Sequence, residues 1–160
     1  MSHELVDLIA EWGFVRSETT NLLRALTDNQ LLFTPEGDAW KPLFWQFACC
    51  ARTQIVYTRA LENGTMDMTL FSSAELPDKT TLNTRHALQD SLILTDEAWH
   101  TALATVSDQT HIGWDSGALT PGRHIAKLIS HERLHHGQLL SYFTLAGFTL
   151  PINFKQNWAL

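Results

Sequence analysis

Cysteine is almost absent from this chain. The two residues present, Cys49 and Cys50, are adjacent, so no disulfide framework can be built from them. A reducing, cytoplasmic setting is expected. No run approaches the roughly 18 apolar residues that a membrane span requires. Met1-Ser2-His3-Glu4 does not lead from a basic region into an apolar stretch, so no signal peptide is expected either. Basic residues are few: 11 Lys and Arg, scattered singly, against 17 Asp and Glu, for a net charge of −6. Neutralising phosphates takes a basic surface, which argues against nucleic acid as a partner. What remains is a chain 44% hydrophobic and 18% charged, globular in composition. Its 160 residues fit one domain, residues 1–160, with a single sizeable core.

Apolar spacing predicts an all-α fold. The first helix starts at a Ser2 cap and carries Leu5, Leu8, Trp12, Val15, Leu22 and Leu26 at steps of three and four. The second is expected to begin at Lys41-Pro42, with proline in the first turn, and to stop at Asn63-Gly64. The third follows Leu88, Leu92, Trp99 and Leu103, and the last ends at Gly147. The expected spans are residues 3–26, 41–62, 81–105 and 122–146. Residues 27–37 read as a turn-rich connection and 65–79 as a long irregular loop. Residues 107–121 read as a second long loop, with a short extended piece at 111–114. Four helices joined by long connections predict a four-helix bundle.

Histidine is plentiful, with eight residues, and His124, His131, His135 and His136 fall within one stretch of the last helix. Around a helix, His131 and His135 differ by only about 40° and stack one turn apart, so both imidazoles can converge on one cation. Glu132 falls about 100° from His131, inside the apolar arc, where a carboxylate needs a cation or hydrogen-bond donors. It is expected either to take a hydrogen bond or salt bridge from a neighbouring helix or to act as a catalytic base. His124 shares the ligand face but lies two turns, about 10 Å, away. His131-Glu132-Arg133-Leu134-His135 also matches the zinc-protease pattern, but no Asp, Glu or His follows His136 to supply the usual downstream ligand.

The segment from His131 through Leu134 to His135-His136-Gly137-Gln138, followed by Tyr142, Gly147 and Pro151, resembles the last helix of the DinB/YfiT superfamily. The length, the helical layout and Trp40 ahead of the second helix fit it too, so the resemblance covers essentially the whole chain. It implies a bundle in which two histidines of the last helix and one of the second bind nickel, zinc or a similar cation. Relatives include bacillithiol S-transferases and a mycothiol-dependent maleylpyruvate isomerase, so a low-molecular-weight thiol is a further implied cofactor. The ligands implied here are His131 and His135. The third histidine has no counterpart: Gln46 is the best match, although its spacing from Trp40 is one or two residues short. Cys50 is a possible substitute, unless both cysteines simply fill the core.

Trp45, beside Gln46, and Trp114, in the loop before the histidine helix, are the expected cofactor- or ligand-binding aromatics. The expected function is a divalent-metal-dependent reaction on a small-molecule substrate, either thiol (S-)transfer or hydrolysis. The alternative is a non-catalytic bundle with a degenerate metal site that binds a ligand or a protein partner. A homodimer is expected from the family's habit and from the apolar Trp45, Ile55 and Val56, which point different ways around the second helix.

Overall fold

The computed structural model describes residues 2–160. Helix α1, His3–Arg24, starts where the Ser2 side chain accepts from the backbone N–H of Leu5. The connection after it holds a one-turn helix not foreseen from sequence, α2, Asp28–Leu31, closed by a reciprocal Thr27–Gln30 capping box. Helix α3 spans Phe44–Asn63 and stops at Gly64, whose φ of 70° suits glycine. It begins later than expected. Pro42 lies ahead of the helix, and its carbonyl accepts from Trp45 N in a tighter three-residue turn.

Residues 64–84 are less irregular than predicted. Short 3₁₀ turns form at Met68–Ser72 and Lys79–Thr81. Arg52 of α3 donates to the carbonyls of Phe71 and Pro77, which clamps this connection against the helix. Helix α4, Arg85–Ala104, is capped by Thr84 and so starts four residues later than its apolar stripe suggested. The extended piece near residue 112 is β1, Ile112–Trp114, paired antiparallel with β2, Gly117–Leu119. Helix α5, Pro121–Ala146, runs from the Thr120 cap to Gly147, and a short α6, Ile152–Trp158, completes the chain. No helix among the described residues is long and apolar enough to cross a membrane.

Helix α1 packs on α5 and α4, and α3 packs on the same two. Of the long helices consecutive in sequence, α3 and α4 pack directly on each other, whereas α1 and α3, and α4 and α5, lie across the bundle, so those two connections must cross its ends. The interior has two apolar clusters. One gathers Leu5, Trp12, Val56, Trp99 and Ile125; the other gathers Leu22, Phe47, Leu88, Leu139 and Phe143. Between them every long helix contributes buried polar groups: Arg16 and Thr19 from α1, Thr53 and Gln54 from α3, Thr95 from α4, and Glu132, His135 and His136 from α5. Of the apolar residues around α3 that motivated the dimer expectation, Val56 is buried within the chain and Trp45 and Ile55 are partly buried. Val56 is in the first cluster, Ile55 packs on it, and Trp45 packs on the second.

Candidate metal centre

One turn of α3 faces one turn of α5 at the margin of this polar layer. Ligand-capable atoms of Cys49, His131 and His135 lie within 4.8 Å of one another. The two imidazoles meet edge to face, with ring centroids 4.6 Å apart. Donors around a tetrahedral zinc stand about 3.5 Å apart, so closing this set on a cation takes small side-chain rotations. The chemistry of the set fits as well, because one thiolate and two imidazoles suit zinc or nickel and leave a coordination position open. His131 Nδ1 is buried with no hydrogen-bond partner, a lone polar atom that a cation would satisfy. Its Nε2 lies 3.3 Å from Thr53 Oγ1.

The half-buried Cys49 is thus the third residue of this cluster, whereas Gln46 or Cys50 was expected. Cys50 is fully buried, and its thiol is pushed well up by burial and by the nearby Glu132. Gln46 was one or two residues short of the family spacing from Trp40, and Cys49 is three residues further on. That spacing pointed further along α3 but not as far as Cys49. Gln46 lies beside the cluster, in contact with His135. Its Oε1 accepts from His135 Nδ1 at 2.7 Å, while its Nε2 donates to the Tyr142 hydroxyl at 3.4 Å. Tyr142 in turn donates to the Lys41 carbonyl at 2.6 Å. This chain orients the amide and places the His135 proton on Nδ1, which leaves Nε2 as the lone-pair nitrogen. Burial, followed by the neighbouring His131, holds the His135 pKa down at about 3. Burial and then Lys79 lower that of His131. Both rings are neutral at pH 7, the form that ligates metals.

Glu132, although between the two histidines in sequence, points away from them. Its carboxylate accepts a short hydrogen bond from Thr19 and pairs with Arg16 Nη2 at 3.2 Å. Arg16 reaches Gln54 Oε1 at 2.6 Å and Asp96 at 3.1 Å, so one guanidinium ties all four long helices together. Burial raises the Glu132 pKa, and Arg16 and Thr19 pull it back. His136 joins the same network at 2.7 Å from Thr19 Oγ1, with its pKa lowered to about 4, chiefly by burial.

A cavity of about 330 Å³ opens beside the cluster. Trp40, Trp45 and Tyr142 wall it, and Lys41, Gln46, Gln138 and His135 supply its polar lining. The Lys79 ammonium sits 3.3 Å from the centre of the Trp45 ring, a residue that sequence reasoning overlooked because a loop delivers it. Trp114 is elsewhere. Its indole N–H donates to His124 Nδ1 at 3.3 Å, and its ring packs on Tyr57. His124 donates through Nε2 to the Tyr57 carbonyl at 3.0 Å, satisfied inside the first apolar cluster and apart from the Cys49 group.

Fold and site together define an all-α bundle with a candidate cation-binding centre between its second and last long helices. A family model for the DinB superfamily matches residues 11–139, and the chain belongs to that superfamily. Two solved structures share the fold at low identity. A DinB-like protein from Bacillus cereus is 18% identical, covers 90% of this chain and 93% of its own, and superposes with a TM-score of 0.69. A DinB-like protein from Bacillus subtilis is 16% identical, with 91% and 96% covered and a TM-score of 0.68. No curated protein matches the sequence.

Proposed function

We propose that this protein holds a divalent cation, zinc or nickel, through Cys49, His131 and His135, and that the open position serves thiol transfer to a small electrophile. The observation that carries the reading is the convergence of three soft or borderline donors from two helices at the edge of a walled cavity. A bound cation would lower the pKa of an incoming thiol and keep it as the nucleophilic thiolate. The protein's own residues do the rest. Gln46 sets the His135 tautomer, burial keeps both imidazoles neutral, and Trp40, Trp45 and Tyr142 limit access of water.

Between transfer and hydrolysis, one feature favours transfer. Hydrolysis calls for a base close to an attacking water. The cavity lining contains no Asp or Glu, and Glu132 is engaged with Arg16 and Thr19. That engagement supports a structural part for Glu132 rather than proton transfer. The test is turnover of a cysteine-derived thiol with a chromogenic aryl halide by zinc- or nickel-loaded protein. Activity abolished by a chelator and by His135→Ala supports the proposal. Activity indifferent to both contradicts it.

A further inference from the structure

Gln46, Cys49 and Thr53 follow one another at steps of three and four residues, so they share one face of α3. That face meets α5 in reversed order: Gln46 contacts His135, Thr53 contacts His131, and Cys49 falls between. Each imidazole is therefore touched by one α3 side chain, and the two are touched at unlike nitrogens. Gln46 takes Nδ1 of His135, whereas Thr53 Oγ1 lies 3.3 Å from Nε2 of His131. Thr53 is buried, and a buried helical threonine ordinarily turns its hydroxyl back to its own helix, as Thr58 does to the Gln54 carbonyl at 2.8 Å. Thr53 does not. Among the described residues, His131 is its hydroxyl's one hydrogen-bond partner.

His131 Nδ1 is buried with no hydrogen-bond partner, so the direction of the Thr53 contact decides what is left there. A neutral imidazole carries one proton. If Thr53 donated to Nε2, that proton would sit on Nδ1 as a buried donor without an acceptor, which is costly and which a cation would repel. If Nε2–H instead donates to Thr53, Nδ1 is a bare lone pair, the form that a cation satisfies. The inference rests on the metal reading above, and only the second arrangement agrees with it. Ligating histidines characteristically donate their other ring N–H to a fixed acceptor, which sets both tautomer and ring orientation.

We propose that Thr53 is the positioning residue of His131: it accepts the Nε2 proton and leaves Nδ1 to ligate, so the two histidines hold the cation through unlike nitrogens, Nδ1 of His131 and Nε2 of His135. The experiment loads protein carrying isotope-labelled histidine nitrogens with an NMR-active isotope of cadmium, a soft ion suited to thiolate and imidazole donors. Coupling to the metal splits only the nitrogens bonded to it, and the splitting should fall on Nδ1 of His131 and Nε2 of His135. Zinc affinity is then measured by competition titration, with circular dichroism on the same samples. Thr53→Val, similar in shape but without the hydroxyl, should bind about 10- to 100-fold more weakly while remaining as helical as wild type. Thr53→Ser, which keeps the hydroxyl, should recover most of that affinity. Splitting at Nε2 of His131, wild-type affinity in Thr53→Val, or a Thr53→Ser protein as weak as Thr53→Val would overturn the inference while leaving the metal reading intact. Wild-type protein that takes up neither metal, or metal-loaded protein with no splitting at His131, would instead defeat the metal reading, and this inference with it.

Discussion

Gln46 and His135 are joined across the α3–α5 interface by a 2.7 Å hydrogen bond from imidazole Nδ1 to amide Oε1. The residue expected to replace a ligand therefore holds the imidazole of a proposed one. Partners of this kind fix ring orientation and raise ligand basicity.

Gln46→Ala should weaken zinc binding by about 10- to 100-fold without removing the site, because Cys49, His131 and His135 all remain. Gln46→Glu should bind at least as tightly as wild type, since a carboxylate accepts the same proton more strongly. Competition titrations against a chromogenic chelator measure both. An unchanged affinity in Gln46→Ala would show that the contact carries no functional weight.

The Arg16–Glu132 pair is buried at the centre of the bundle, so Glu132 left alone becomes an uncompensated charge and Arg16 left alone keeps only the half-buried Asp96. Arg16→Met and Glu132→Leu should each cost about 3–5 kcal/mol in urea unfolding. The double variant should recover a large part of that loss. A double variant as unstable as the sum of the singles would mean that the network's other contacts, to Gln54, Asp96 and Thr19, dominate.

His124 gives stability a defined pH dependence. Burial lowers its folded-state pKa to about 4, from an ordinary value of 6.5. The folded state binds the proton less readily than the unfolded chain, so its contribution is complete above pH 6.5 and is lost as pH falls towards 4. The loss is about 3 kcal/mol by pH 4. Unfolding free energies of wild type and His124→Gln, compared from pH 7 to pH 4, isolate it. Wild type should lose more stability than the variant on acidification, and parallel curves would contradict the assignment.

The helical half of this structure was legible because helical periodicity is a local property. His131 and His135 are brought together by a single turn of one helix, and any chain that makes α5 helical stacks them. The helix starts were less legible. Pro42 can occupy a first helical turn, but here three-residue hydrogen bonds precede the regular ladder. Cys49 and Lys79 depend on relations between elements. That Gln46 and Cys49 meet the histidines while Cys50 is buried is decided by the rotation of α3 against α5, which packing sets. Lys79 reaches Trp45 only because Arg52 clamps the preceding connection through the Phe71 and Pro77 carbonyls. Arg16, adjacent to Val15 in sequence, reads as a surface residue until α4 and α5 supply Asp96 and Glu132 around it.

The central claim is that Cys49, His131 and His135 form one metal shell. Its most direct test is elemental analysis of purified wild type, Cys49→Ala, Cys50→Ala and His131→Ala after loading with zinc or nickel and desalting, with circular dichroism to confirm that each variant is folded. Wild type and Cys50→Ala should retain one equivalent, while Cys49→Ala and His131→Ala, still helical, should retain far less. Full retention in Cys49→Ala and His131→Ala, or no retention in wild type, would contradict it.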